Sequence, residues 1–300
     1  MFAGRKAETK QLLDSFNKRK GTLNVIRGRR RIGKTRLIKE LPNATKGITL
    51  RYLTSIPPTH KLTDEAERKN YAEQVKDQFN LSYMPPHSSW RELFLFIGDQ
   101  CNKVKTILAI DEINWLATKS PDFMSVFFEL WENTFNHKKE FMLILSGSLS
   151  SWIEENIVMN KGLVGRISVS LTLKELRLQD MAAFFGARLQ KTPSIDTIKM
   201  LSAVGAVPRY LEELDLTKTA EANLERIAFT QGGFLYDEFD RMFYELFSEE
   251  NKFYRNILKV LGEADKLLTP KELAGKMGLT YSGRHTKAID VLEEVGFITR

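Results

Sequence analysis

The sequence has a single cysteine, Cys101, and only four histidines among its 300 residues. One cysteine cannot form a disulfide within the chain, so a disulfide-stabilised scaffold is excluded and a reducing compartment fits. The histidines and the cysteine lie at scattered positions, which gives no ligand spacing typical of zinc. The sequence therefore contains no evidence of a disulfide framework or a zinc site.

Long apolar runs are also missing. The first residues, 1–5, lack the apolar core of a signal peptide, and no later run is long enough to span a bilayer. Internal repeats and low-complexity tracts are absent as well. With 42% hydrophobic residues the chain can still build a core. We expect a soluble, cytoplasmic protein with no membrane contact.

Basic residues outnumber acidic residues in the sequence. The chain carries 45 basic and 38 acidic residues, a net charge of +7, and its pI is about 9.3. Such a balance favours polyanionic partners, although a basic surface alone is weak evidence for them.

The most informative segment is 28–35, whose sequence GRRRIGKT fits the phosphate-binding pattern G-x-x-x-x-G-K-[ST] at every fixed position. The pattern calls for a glycine-rich loop whose backbone N–H groups surround a phosphate at the start of a helix. An apolar run before it (23–27) and helical spacing after it, ended by Pro42, supply the strand and helix that such a loop needs. We expect Lys34 to reach the β- and γ-phosphates of ATP and the Thr35 hydroxyl to hold Mg²⁺. The predicted nucleotide-binding residues here are Gly28, Arg29, Arg30, Arg31, Ile32, Gly33, Lys34, Thr35 and Arg36.

Two further strands end in polar residues. The run 106–110 ends in Asp111 and Glu112, which predicts a carboxylate near Mg²⁺ followed by one that polarises the attacking water. The run 141–145 is followed by Ser146, Gly147 and Ser148. Ser148 is predicted either to contact the γ-phosphate or the water, or to cap the following helix, and both roles are compatible.

The periodicity divides the chain into three parts. Strands at 23–27, 48–54, 106–110, 141–145 and 167–171 alternate with helices and predict an α/β P-loop core over 1–172 with a parallel sheet. Helical periodicity alone predicts a lid over 173–248. Over 249–300, three helices with a tight turn before the last, and a strand beginning at 296, predict a winged helix-turn-helix domain. The chain stops just inside that strand, and we expect the native protein to continue.

The sequence resembles the archaeal-type ATPase family within the AAA+/STAND division of P-loop ATPases. The residues that carry the resemblance are those of the phosphate loop, Gly4-Arg5 with Glu8, Ser89-Trp90, Asp111-Glu112, Gly147-Ser148, Gly165-Arg166 and 205–208. The resemblance implies that Gly4 and Arg5 lie near the adenine and that Pro208 of the lid closes over it. It also implies that Arg166 is an arginine finger reaching the γ-phosphate of a neighbouring subunit in a homo-oligomer. The alternatives for Arg166 are a structural salt bridge or a phosphate contact within its own chain.

The sequence leaves three alternative functions open. The first is a Mg²⁺-dependent ATPase that binds ATP and ADP and acts as a slow nucleotide-driven switch. The second is a regulator that binds double-stranded DNA or a protein partner, in which nucleotide is structural and hydrolysis negligible. Arg284, His285 and Lys287 are predicted to face solvent on its last helix, although acidic residues at the far end would repel a duplex. The third, a small-molecule kinase, is disfavoured because the acidic pair at 111–112 suits water as the acceptor.

Overall fold

The computed structural model describes residues 3–18, 20–57, 62–102, 104–120, 122–148, 150–247 and 251–298. The chain divides into two compact units, residues 1–184 and 185–300, and each is considered by itself. The predicted division at 172 and 248 stays a prediction.

The first unit is built on a five-stranded sheet in which every described pairing is parallel. The strands are β1 (Thr22–Arg27), β2 (Thr49–Thr54), β3 (Thr106–Asp111), β4 (Phe141–Gly147) and β5 (Ile167–Thr172), in the spatial order β2-β3-β4-β1-β5. All five strands predicted for the α/β core are confirmed. Because β4 lies between β1 and β3, the carboxyl ends of these three strands meet at one edge of the sheet.

Helices cover both faces of this sheet. They are α1 (Lys6–Phe16), α2 (Lys34–Ala44), α3 (Asp64–Gln78), α4 (Trp90–Gln100), α5 (Ile113–Lys119), α6 (Phe123–Asn133), α7 (Ser150–Ile153) and α8 (Leu178–Phe185), with a 3-10 turn at Phe135–His137 and a π-helical turn at Glu154–Val158. Apolar residues alternate along the central strands, so that Ile107 and Ala109 pack on the side of α1 and α2. Leu108 and Ile110 pack on the opposite side, against the helices from α3 to α6. This alternation is what a strand buried on both faces requires.

Two local details refine the sequence predictions. Helix α2 was expected to end at Pro42, but it continues to Ala44 with the proline inside its last turn. The aromatic stripe of α6 was interpreted as core packing, and this is confirmed because Phe123, Phe127 and Trp131 are each 1% exposed.

The described residues of the second unit form helices joined by turns, with no strand among them. After a 3-10 segment at Gly186–Lys191 come α9 (Ser194–Val204), α10 (Pro208–Leu211), α11 (Ala220–Leu224) with a π-helical turn at Glu225–Phe229, α12 (Glu238–Phe247), α13 (Asn251–Gly262), α14 (Pro270–Lys276) and α15 (Gly283–Glu294). The three predicted C-terminal helices are therefore present as α13 to α15. The strand predicted to begin at 296 is not seen through residue 298, and Thr299 lies outside the described residues.

Candidate nucleotide site at the carboxyl edge of the sheet

The loop between β1 and α2 has positive φ angles at both of its glycines. Gly28 has φ 146° and Gly33 has φ 95°, both in the range that side chains disfavour. A Cβ on Gly28 would lie 2.5 Å from the carbonyl oxygen of Leu173, so this position is closed to any side chain. Gly33 directly precedes α2, and the N–H groups of the first helical turn therefore point towards the loop.

Lys34 is the first residue of α2, and the residue is only 6% exposed. Its Nζ donates to the carbonyl oxygens of Gly28 at 2.8 Å and Arg29 at 3.3 Å, and to Ser148 Oγ at 3.1 Å. Burial lowers the pKa of Lys34, while the charges of Glu112 and Asp111 oppose that shift. A cation whose charged form is disfavoured by burial is a group that phosphate oxygens would stabilise.

Asp111 ends β3, and its carboxylate is 3% exposed. Thr35 Oγ1 donates to Asp111 Oδ2 at 2.7 Å. The Tyr52 hydroxyl donates to the same oxygen, and the Ser146 hydroxyl donates to Oδ1. A hydroxyl and a carboxylate, both hard oxygen ligands, thus lie side by side next to the loop, and this donor set fits Mg²⁺.

Glu112 occupies a left-handed backbone conformation, with φ 54°, immediately before α5. Ser148 donates to it twice: the hydroxyl to Oε1 at 2.7 Å and the backbone N–H to Oε2 at 3.2 Å. Burial raises the pKa of Glu112, and the charge of Lys34 opposes the shift. Strained backbone of this kind persists only where its surroundings hold it, and here Ser148 does so.

Lys34, Ser148 and Glu112 therefore form a connected chain of hydrogen bonds. The lysine begins α2, at the end of the loop that follows β1, whereas the serine follows the end of β4 and the glutamate follows the end of β3. The Ser148 hydroxyl thus connects Lys34, a cation that can bind phosphate, with Glu112, a carboxylate that can accept a proton from water. Chemically it can bind a polyphosphate and activate a water beside it.

The arginines of the loop segment point to different neighbours. Arg29 forms an ion pair with Glu175 at 3.1 Å, and Arg30 lies over the Trp115 ring at 5.9 Å from its centroid. Arg36 is exposed and pairs with Glu40 at 3.1 Å, so its side chain points away from the loop towards the next turn of α2. Arg31 has φ 66°, and Ile32 is buried in the core beneath the loop.

Arg5 lies against the same loop, and Gly4 packs beside Asp180 of α8. Arg5 is 6% exposed and donates to the carbonyl oxygens of Ile32 at 3.1 Å and of Lys174. It also pairs with Glu8 at 3.2 Å. A Cβ on Gly4 would lie 2.9 Å from Asp180 Cβ. Arg5 thus supports the loop from behind, and the predicted adenine contact of these residues stays a prediction.

Arg166 is not brought to this site. It precedes β5, so it lies at the amino edge of the sheet, opposite the phosphate loop, because β5 runs parallel to β1. Its guanidinium forms a two-pronged ion pair with Glu132, with one contact of 3.2 Å. Its predicted role towards a neighbouring subunit stays a prediction. Pro208 belongs to the second unit, where it begins α10.

The C-terminal residues are arranged differently from the prediction in one respect. Arg284 and Lys287 are exposed on α15, as expected. The prediction that His285 faces solvent is wrong, because this side chain is 3% exposed. His285 is in the first turn of α15, where Nδ1 lies 3.3 Å from the backbone nitrogen of Ser282 and the ring packs edge-on against Phe253. The buried ring caps its own helix, and the predicted contact of His285 with a nucleic acid stays a prediction.

Tyr52 and Ser146 were not predicted as site residues. Both contact the Asp111 carboxylate, and the strand register explains why. Ile110 pairs with Leu145, so the next residues along, Asp111 and Ser146, are neighbours. Ser146 could have been found by aligning the ends of the two strands. A tyrosine within a strand gives no such signal, since strands favour aromatic residues anyway.

The parallel sheet, the order of its strands and the arrangement of phosphate loop, lysine and acidic residues together define a P-loop fold. The chain belongs to the family of ATPase domains found predominantly in Archaea, whose sequence profile matches residues 2–214. The resemblance to the archaeal-type ATPase family seen in the sequence is thereby confirmed.

The individual proteins and structures that resemble the chain share 26% sequence identity or less with it. The chain is 26% identical to protein MJECL04 of Methanocaldococcus jannaschii over its full length, and it spans 62% of that relative. Among solved structures it is similar in fold to the Walker-type ATPase PABY2304 of Pyrococcus abyssi, with 18% identity, 99% and 91% coverage of the two chains and a TM-score of 0.67. It is also similar to the ORC2 protein of Aeropyrum pernix, solved with ADPNP and ADP, with 13% identity, 99% and 87% coverage and a TM-score of 0.53. The ORC1 protein of the same organism, solved in complex with DNA, gives 15% identity, 100% and 87% coverage and a TM-score of 0.50.

No helix in the described parts of the chain has the length and hydropathy that crossing a bilayer requires.

Proposed function

We propose that this protein is a Mg²⁺-dependent, slowly hydrolysing ATPase that acts as a switch, with its chemistry at the carboxyl edge of the sheet. The observation that carries the proposal is the hydrogen-bonded chain from Lys34 through Ser148 to Glu112. It joins a phosphate-binding cation to a carboxylate that can act on water. The adjacent Thr35–Asp111 pair supports it, because these two residues would hold Mg²⁺. When bound, Mg²⁺ would neutralise phosphate charge.

In the proposed reaction, a water oxygen attacks the γ-phosphorus, and the bond from that phosphorus to the β,γ-bridging oxygen breaks. Glu112 orients this water and accepts its proton, which passes on to the newly formed inorganic phosphate, while ADP leaves with the bridging oxygen. Burial raises the pKa of Glu112 and so its affinity for that proton. Lys34 and the loop N–H groups stabilise negative charge on the transferring group. Ser148 holds the side chains of Glu112 and Lys34 in position by a hydrogen bond to each.

The test compares wild type with Glu112→Gln and Lys34→Ala. Glu112→Gln keeps size and one acceptor oxygen, so we expect nucleotide affinity within about threefold of wild type and hydrolysis reduced by at least about 100-fold. Lys34→Ala should weaken ATP binding itself by roughly 10- to 100-fold, because it removes charged hydrogen bonds to phosphate. Binding is followed with a fluorescent ATP analogue and hydrolysis by phosphate release.

The matched control is Glu65→Gln, the same chemical change at an exposed position of α3. It should leave both quantities unchanged. Full hydrolysis by Glu112→Gln would remove Glu112 from the mechanism. Nucleotide binding with no turnover in any variant would favour the alternative in which bound nucleotide is structural.

A second proposed activity is binding of double-stranded DNA through the C-terminal unit. Helices α14 and α15 follow each other across a short turn, and Arg284 and Lys287 are exposed on the second. The DNA complex of the ORC1 relative, at the level of fold, supports this idea. The nucleotide state would then alter how this unit binds DNA or a protein partner.

The proposal also includes a homo-oligomer, in which Arg166 leaves Glu132 and contacts the γ-phosphate bound by a neighbouring subunit. It includes a location in the cytoplasm.

A further inference from the structure

We propose that Tyr52 is a positioning residue for the divalent cation: its hydroxyl fixes the Asp111 carboxylate and so strengthens Mg²⁺ binding together with nucleotide. The inference rests on the proposed function, because it assumes that nucleotide and Mg²⁺ bind at the loop. It assigns a role to a residue of β2, a strand that carries none of the other proposed catalytic or cation-binding groups.

The Asp111 carboxylate accepts hydrogen bonds on both of its oxygens. Oδ1 accepts from the Ser146 hydroxyl and, at 3.1 Å, from the backbone N–H of Glu112. Oδ2 accepts from the Thr35 hydroxyl at 2.7 Å and from the Tyr52 hydroxyl. At 3% exposure, a carboxylate needs such donors in place of water.

Tyr52 is held from two directions. In the sheet it pairs with Ala109, so its strand runs beside the end of β3 where Asp111 lies. On the other side, Lys39 Nζ lies 4.6 Å from the centroid of its ring. Lys39 follows Thr35 by four residues on α2, and such residues share a helix face. The helix that presents Thr35 to Asp111 therefore also fixes the ring of Tyr52.

The four donors differ in what they can do when a cation is present. Thr35 would offer its oxygen lone pair to Mg²⁺, and a hydroxyl proton then has to turn away from the metal. Tyr52 has no such second task, and it is the remaining side-chain donor to Oδ2 among the described residues. It can therefore keep the carboxylate from rotating while that oxygen faces the cation. Groups that orient metal-binding carboxylates in this way commonly change metal affinity by about 10-fold or more.

The experiment measures how strongly Mg²⁺ improves nucleotide affinity. The probe is a fluorescent, non-hydrolysable ATP analogue, titrated into the full chain once in EDTA and once in saturating Mg²⁺. The ratio of the two dissociation constants is the Mg²⁺ enhancement, and no turnover is involved. For Tyr52→Phe, which keeps the ring and its contact with Lys39, we expect affinity in EDTA within about twofold of wild type and an enhancement reduced on the order of tenfold.

The matched control is Tyr71→Phe. It also removes a buried phenol hydroxyl in the same unit, one that lies 2.8 Å from Ser55 Oγ, but it does not touch the Asp111 carboxylate. We expect it to keep the wild-type enhancement. A full enhancement in Tyr52→Phe, or an equal loss in Tyr71→Phe, would overturn the positioning role. Failure of wild type to bind the analogue at all would instead contradict the proposed function.

Discussion

At the scale of single residues, Gly28 is the position where packing and backbone conformation both exclude a side chain. Its φ is 146°, and an added Cβ would approach the Leu173 carbonyl oxygen to 2.5 Å. We expect Gly28→Ala to distort the phosphate loop and to lower ATP affinity by at least about tenfold. The same variant should lower the free energy of unfolding by more than the roughly 1–2 kcal/mol that a left-handed alanine costs. Analogue binding and urea unfolding measure the two effects.

Gly47 supplies the control for that experiment. It also has a positive φ, of 81°, but nothing lies within 4 Å of a Cβ placed there. Gly47→Ala should therefore show the backbone cost alone and leave ATP affinity intact. If both alanine variants lose the same stability and keep wild-type affinity, the contact with Leu173 does not shape the loop.

The residue scale also shows what the sequence can and cannot specify. Lys34, Thr35, Asp111, Glu112 and Ser148 were named from local patterns, and the fold brings all five to one edge of the sheet. Their patterns are local because Lys34 and Thr35 belong to one short loop motif, and the other three residues lie at or just after the end of a strand. His285 was misjudged because helical periodicity assigns faces along a helix, whereas a first-turn side chain can turn back to cap it.

At the scale of elements, the existence of each strand was predictable but the order of the strands was not. Apolar runs bounded by polar residues identify buried strands from nearby residues alone. Which strand lies beside which depends on contacts far apart in the sequence. The placement of β4 between β1 and β3 is such a fact, and it is what inserts Ser148 between Lys34 and Glu112.

Helix α14 offers an element-scale prediction. Thr269 and Glu272 form a reciprocal cap: Thr269 Oγ1 accepts from the Glu272 N–H at 3.2 Å, and the Thr269 N–H donates to Glu272 Oε2 at 2.9 Å. Thr269→Ala removes the first of these hydrogen bonds, so we expect the free energy that stabilises α14 to fall by about 1 kcal/mol. Hydrogen exchange of the α14 amides measures the loss. Thr269→Ser should retain most of the protection, and an alanine variant as protected as wild type would show that the cap contributes nothing.

At the scale of the whole molecule, the net charge of +7 has to be separated from specific contacts. A basic protein attracts any polyanion at low salt, so affinity for DNA by itself says little about α15. The informative quantity is how steeply the affinity falls with salt concentration, since that slope reports the number of phosphates neutralised.

Arg284 and Lys287 can be tested in these terms. If α15 contacts DNA phosphates, replacing both with alanine should reduce the slope of log affinity against log salt by about two, from the roughly 0.9 expected for each contact. Fluorescence anisotropy of a labelled duplex between about 50 and 200 mM salt covers the useful range. The control replaces Lys252 and Lys259, exposed on α13, with the same loss of charge. An equal reduction in both double variants would mean that DNA responds only to overall charge, and then the C-terminal unit is better explained as a surface for a protein partner.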